Sequence, residues 1–118
     1  MKPKDDFIYL RHMRDLSAKA VSKVTGLNRQ QFDADENLQL AVTHLIQTIG
    51  EAARLVSPEF RDQHPEIPWH RITGMRHRLV HDYLSVDLDV VWKVATTNLG
   101  PFIGQLESLI EARSDGVS

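Results

Sequence analysis

One stretch of the sequence concentrates side chains that can bind phosphate or move protons. The segment from residue 61 to residue 81 has only Asp62 and Glu66 as acids, against four arginines and four of the six histidines: Arg61, Arg71, Arg76, Arg78, His64, His70, His77 and His81. Guanidinium groups bind phosphate oxygens in pairs, and imidazole exchanges a proton near neutral pH. The segment therefore predicts an anion-binding or acid–base site, or else a solvated basic surface in which Arg78 and Asp82 form an ordinary i,i+4 pair.

The spacing within this segment favours some combinations of residues over others. Arg76 and His81 are five residues apart, about 140° around an ideal helix, so both reach one small group only from a helix end or through the long arginine side chain. His77 and His81 are four apart and share a helix face, which suits a metal pair with Glu51 or Asp82 as third ligand. No HExxH motif is present, and we expect neither a metal nor a cofactor.

Length and composition limit the classes of protein to which the chain can belong. The 118 residues, 42% hydrophobic, with 14 Lys+Arg against 16 Asp+Glu, predict one domain spanning residues 1–118. The absence of cysteine excludes disulfides, thiolate zinc sites and cysteine nucleophiles, and favours a reducing compartment, so we expect a cytoplasmic protein. No run approaches the ~20 apolar residues of a membrane span. A formal net charge of -2 predicts that any anion site is local.

Two amphipathic helices are predicted in the first half of the chain. Apolar residues at spacings of three and four predict a helix from Asp6 to Val24, which Gly26 ends. After an RQQF turn, Asp33 and Glu36 resemble a capping box before a second helix. Its apolar stripe comprises Leu38, Ala41, Val42, Leu45, Ile46, Ile49, Ala52, Ala53 and Val56.

A mixed surface lies beside this stripe. Leu40 and Leu55 fall outside the apolar face and flank His44, Thr48 and Glu51. Such a surface is either solvated or covered by a partner subunit.

The second half of the chain reads as helical too. Ser57 and Pro58 predict a short helix from Pro58 to about Gln63. A third main helix is expected from Trp69 to Val80 despite Gly74, because the apolar residues keep helical spacing.

The last predicted helix is capped by Asp87, and its apolar stripe stays in register across Pro101. One long helix kinked at Pro101 is therefore expected. Because no run alternates with period two, we expect an all-α fold. It would be an up-down bundle of four main helices plus a short helix, with its core between about residues 6 and 112.

Three separated blocks of the sequence resemble one family. They are QTIGEAARLV on the second helix, HPEIPWHRITGMRHRLVHDY, and VDLDVVWKVATTNLGPF. Their order, and the Arg-x4-His-x-Tyr pattern in the middle block, resemble the HEPN superfamily and its HepT-like toxin branch. The resemblance runs from about residue 6 to residue 110.

This resemblance implies a metal-independent ribonuclease, usually a homodimer, in which Arg76 and His81 of both protomers face each other across a composite cleft. His77, Arg78 and Arg71 would then contact the RNA backbone. Relatives in this branch are toxins encoded beside a minimal nucleotidyltransferase antitoxin of the MntA type. That antitoxin attaches AMP to the motif tyrosine, which corresponds to Tyr83. Whether dimers join into a higher assembly with the antitoxin is left open.

One position departs from the family pattern. Most relatives carry Asn directly after the motif arginine, where this chain has His77. A second imidazole changes the local charge and hydrogen bonding. Two other functions therefore stay open. One is a catalytically silent HEPN module that binds RNA or a partner, and the other is a helical interaction subunit in which the motif only organises the dimer.

Overall fold

A computed structural model describes residues 5–82 and 85–116, with the backbone alone described at residues 76, 80–82 and 114–116. The elements are helices α1 (Asp6–Val24), α2 (Arg29–Asp33), α3 (Glu36–Arg54), α4 (Pro58–Gln63), α5 (Trp69–Thr73) and α6 (Met75–Leu79), strands β1 (Val80–Asp82) and β2 (Ser85–Val86), helix α7 (Leu88–Lys93), a π-helical stretch (Val94–Asn98), and helix α8 (Leu99–Gly116). The fold is all-α, as predicted, apart from one two-stranded hairpin.

Helix α3 lies at the centre of the bundle. It contacts α1, α2, α5, α6 and α7, while α1 also packs against α8. Six of the eight buried residues of α3 belong to its predicted apolar stripe, and the other two are Thr43 and Gly50. Leu38 and Ala41 of the stripe are half-buried, and Leu40 and Leu55 outside it are 59% and 61% exposed. The side chains of Leu10, Met13, Ile46, Leu79, Val91 and Leu106 are completely or almost completely buried between the helices. Burial of these side chains is the main stabilising contribution to the bundle.

Helix α1 has the predicted bounds, and the turn after it explains where it stops. Thr25 is its C-cap residue, and Gly26 follows with φ of 82°. That backbone conformation is strained for residues with a Cβ, so glycine is the residue that allows the chain to leave the helix here.

The segment between α1 and α3 differs from the prediction. The RQQF stretch forms helix α2, and the capping box lies at its start, where Asn28 and Gln31 cap each other. The N-cap of α3 is Asp35, whose side chain accepts a hydrogen bond from the backbone N–H of Leu38 at 3.0 Å. The prediction that Asp33 begins a capping box before the second main helix was therefore wrong, because the capping box starts the short helix α2 and Asp35 caps α3. Several side chains in this segment suit an N-cap, and spacing alone does not choose among them.

Helix α4 has its predicted bounds and is tied to α1. The Ser57 Oγ accepts a hydrogen bond from the Phe60 N–H and donates one to a carboxylate oxygen of Asp6 at 2.7 Å. The backbone N–H of Ser57 donates to the other Asp6 oxygen at 2.8 Å. These bonds hold the start of α4 against the start of α1.

The third main helix is divided, contrary to the prediction of one helix from Trp69 to Val80. Helix α5 ends at Thr73 with Gly74 as its C-cap residue, α6 follows, and Val80 belongs to β1. Glycine disfavours a continuous helix by about 1 kcal/mol relative to alanine, and β-branched Val80 favours an extended backbone. Strand β1 pairs antiparallel with β2, Val80 opposite Val86 and Asp82 opposite Ser85. The strands are too short to leave an alternating sequence pattern.

The last helical segment is continuous from Leu88 to Gly116, as its unbroken stripe predicted. It departs from α geometry in the π-helical stretch, where the N–H of Leu99 donates to the carbonyl of Val94, five residues earlier. Because α geometry resumes at Leu99, Pro101 falls in the first turn of α8, a place where its missing N–H is tolerated. None of the helices in residues 5–82 and 85–116 is both long and apolar enough to cross a membrane.

Candidate functional site

Helix α6 carries the motif arginine and is anchored by its two ends. Met75 and Leu79 are buried, and α6 contacts α3 and α7. Between these anchors, His77 and Arg78 are exposed. The helix thus presents the polar part of the segment MRHRL at the surface while the apolar residues hold it to the bundle.

The chain changes from helix to strand between the two motif residues. Arg76 lies in α6, whereas His81 lies in β1, and the N–H of Asp87 donates to the Leu79 carbonyl at 2.6 Å where the helix ends. A five-residue spacing separates two side chains by about 140° only on a continuous helix. Because the helix ends between Arg76 and His81, their side chains are not held at this angle. The side chains of Arg76 and His81 lie outside the described part of the structure, and Tyr83 lies outside the described residues altogether.

Arg71 and Arg78 line one cavity, although they are seven residues apart. It lies where α3, α5 and α6 meet the π-helical stretch and α8, with a volume of about 140 Å³. Its floor is apolar, and the amide side chains of Asn98 and Gln105 also line it. The two arginines were predicted to contact an RNA backbone, and both line this cavity.

His77, the third residue predicted to contact RNA, lies in a different cleft. We call this cleft the basic notch, and its lining residues are Arg54, Arg61, Thr73, Gly74 and His77. The structure therefore separates the three predicted RNA contacts into two groups. Arg54 was not predicted, because it stands 22 residues before the motif arginine and reaches the notch only through packing of the helices.

The arginines around the motif are free of carboxylate partners within the described residues. Arg61, Arg71 and Arg78 make no ion pair there. Glu66 instead pairs with His64 at 3.2 Å. A backbone hydrogen bond, followed by the hydrogen bond from His64, holds the pKa of Glu66 below its ordinary value. Within the described residues, the positive charge of these arginines is thus not paired with a carboxylate. The side chain of Asp82, considered above as an i,i+4 partner of Arg78, lies outside the described part of the structure.

One of the residues considered for a metal site has a cation as its neighbour. Glu51 lies 3.6 Å from a guanidinium nitrogen of Arg54, so its carboxylate faces a cation. Among the side chains that the structure describes, no three of His, Asp or Glu cluster as metal ligands would.

The chain is similar over most of its length to one sequence family and to relatives named for ribonuclease activity. The sequence model of the family described as "Ribonuclease HepT-like" matches residues 11–109. A protein named "Probable ribonuclease HepT" from Thermococcus cleftensis is 33% identical over 96 residues, covering 78% of this chain and 87% of the relative. A candidate RNase from Caldanaerobacter subterraneus subsp. tengcongensis is 28% identical over 103 residues, covering 87% of this chain and 92% of the relative. No solved structure matches the chain at a significant level.

Proposed function

The chain belongs to the HepT-like ribonuclease family, and from this we propose that it is a metal-independent endoribonuclease toxin that cleaves RNA with Arg76 and His81. The observation that carries this proposal is the position of the motif within the matched region. Helix α6, which bears Arg76, ends at Leu79, two residues before His81. The five-residue spacing allows both residues to reach one small group from a helix end, and a helix ends between them here.

Cleavage of RNA without a metal uses the ribose 2′-hydroxyl as nucleophile. A base removes the 2′ proton, the O2′–P bond forms, the P–O5′ bond breaks, and an acid protonates the departing 5′ oxygen. A free histidine side chain titrates near pH ~6.5, so at neutral pH one imidazole is neutral while another is protonated. Two copies of His81 in a homodimer divide the roles of base and acid in this scheme.

Arg76 supplies the remaining requirement, which is stabilisation of the negative charge on the phosphorane. Its guanidinium group offers two parallel N–H donors to the non-bridging oxygens, which a lysine ammonium group does not. Neither Arg71 nor Arg78 is needed for this step, and both are proposed to bind RNA beside it.

The products of wild-type protein on cellular RNA test this proposal. Protein whose intact mass shows no modification is incubated with total RNA in EDTA, and the fragment ends are mapped. We expect 5′-hydroxyl ends and 2′,3′-cyclic phosphates, or the hydrolysed form of these phosphates. Fragments with 5′-phosphate ends produced in EDTA would contradict the mechanism.

A second candidate function is a catalytically silent module that binds RNA or a partner. It is favoured by His77, which places an imidazole where most relatives have Asn. Unmodified protein that leaves every RNA intact but binds RNA would favour this alternative.

We further propose that a nucleotidyltransferase antitoxin neutralises the protein by attaching AMP to Tyr83. The adenylyl phosphate would add negative charge and bulk two residues from His81, and so repel and exclude an RNA strand. Co-expression with a neighbouring nucleotidyltransferase should add the mass of one AMP to the peptide containing Tyr83. A Tyr83→Phe variant is the control and should stay unmodified. A wild-type peptide that is always unmodified would count against this regulation.

A further inference from the structure

The basic notch is formed by residues from three separate helices. Arg54 ends α3, Arg61 lies in α4, and Thr73, Gly74 and His77 come from the region where α5 passes into α6. The cleft has a volume of about 430 Å³, which is ample for a phosphate group. Two guanidinium groups and an imidazole thus converge on one concave part of the surface.

No carboxylate among the described residues lines this cleft. Arg61 makes no ion pair with any residue that the structure describes, and its Nε is buried without a hydrogen-bond acceptor. Arg54 has a carboxylate neighbour in Glu51, but at 3.6 Å and with both side chains more than half exposed, which makes this a weak surface contact. Within the described residues, the charge of Arg61 is therefore uncompensated, and that of Arg54 is compensated only weakly.

Arg61 is held in place before any ligand arrives. Its helix α4 is capped by Ser57, whose hydroxyl donates a hydrogen bond to Asp6 of α1. The buried Nε shows that the inner part of the guanidinium group lies against the protein. An arginine fixed in this way loses less conformational freedom on binding an anion than a fully exposed one.

The position of the notch indicates which anion it would meet. His77 directly follows Arg76 on the five-residue helix α6, so the same short helix carries a lining residue of the notch and the motif arginine. Resting on the proposed ribonuclease function, we propose that the basic notch binds a backbone phosphate of the RNA strand next to the one that is cleaved. Arg61 is the principal contact, with Arg54 and His77 at the rim.

The test measures RNA binding apart from cleavage. A fluorescein-labelled, unstructured 20-nucleotide RNA is titrated with His81→Ala protein at several salt concentrations, and anisotropy reports the affinity. Adding Arg61→Gln should weaken binding about threefold or more and lower the slope of log affinity against log salt by about 0.7, the value for one phosphate contact on a single strand. Arg11→Gln removes the same charge from an exposed position on α1 and is the matched control.

A second variant keeps the test decisive if loss of Arg61 impairs folding. His77→Gln replaces an exposed side chain and should weaken binding in the same direction, by a smaller factor. Equal affinity and salt slope for the notch variants and the Arg11→Gln control would overturn the notch, as would failure of the His81→Ala protein to bind RNA.

Cleavage by the wild-type protein, measured in parallel, separates this inference from the proposed function. Cleavage without any effect of the notch variants on binding would refute the notch alone. Notch-dependent binding without cleavage would refute the ribonuclease and leave the notch as an RNA-binding site.

Discussion

Arg76→Lys should lose most of the cleavage activity although the positive charge is kept. Lysine supplies a single ammonium group where arginine supplies two parallel donors, so at least one charge-assisted hydrogen bond to the phosphorane is lost. Such a bond contributes about 1.5–3 kcal/mol, which corresponds to a rate about 10- to 100-fold lower. Single-turnover cleavage of a labelled RNA in EDTA measures this rate.

Two further variants serve as comparisons for the cleavage rate of Arg76→Lys. Arg11→Lys makes the same exchange at an exposed position on α1 and should cleave at the wild-type rate. Arg76→Ala should be slower than Arg76→Lys, since it removes the charge as well. A rate for Arg76→Lys equal to that of wild type would show that a point charge suffices, and the paired hydrogen bonds would have to be abandoned.

Gly50→Ala should destabilise the protein through contact between α3 and α5. A Cβ at Gly50 would lie 2.9 Å from the backbone carbonyl oxygen of Ile72, a distance that real Cβ atoms essentially never show. Relief requires moving backbone, because no flexible side-chain tip is involved. Overpacking costs about 1–3 kcal/mol, and the better helix propensity of alanine returns about 1 kcal/mol, so we expect a net loss of up to about 2 kcal/mol.

The same substitution at Gly104 should instead stabilise the protein. A Cβ at Gly104 in α8 would meet nothing within 4 Å. Only the propensity gain then applies, and stability should rise by about 0.5–1 kcal/mol. Urea unfolding of both variants measures the two free energies. Equal stabilisation by both substitutions would mean that α3 and α5 do not approach as closely as described.

The Gly50 variant also links packing to function. Helix α5 leads directly into α6, so a shift of the Ile72 carbonyl moves the helix that bears Arg76. The cleavage rate of the folded fraction should fall as well, which a purely global loss of stability would not cause.

Helix bounds could be predicted where a strong apolar stripe met a clear end signal. Helix α1 and its Gly26 stop, the Ser57–Pro58 start of α4 and the Asp87 cap of α7 are all confirmed. In each case a local hydrogen bond or a backbone preference decides the boundary, and local preferences can be read from sequence.

Boundaries that depend on tertiary contacts could not be predicted. The stripe from Trp69 to Val80 has helical spacing, yet the chain leaves the helix after Leu79. There the Leu79 carbonyl accepts the N–H of Asp87 and Val80 pairs with Val86. Both partners lie downstream in the chain, and a spacing pattern within the segment contains no information about them.

The candidate site likewise has features that could be predicted from the sequence and features that could not. The basic segment and its motif were visible in sequence because their residues are neighbours in the chain. The basic notch was not visible, since Arg54 and Arg61 belong to helices that packing alone brings to His77. Gly50 likewise showed no local reason for being glycine, and the close approach of the Ile72 carbonyl supplies one.

The most direct test compares His81→Ala with His70→Ala in EDTA, using wild-type protein of verified unmodified mass and one labelled RNA. His70 is an exposed histidine of α5, so both variants lose one imidazole from the same basic segment. General acid–base catalysis contributes about 10²- to 10⁴-fold, so His81→Ala should cleave slower than wild type by that factor. His70→Ala should retain most activity. Wild-type cleavage that His81→Ala matches would contradict the assignment of the ribonuclease site to this motif.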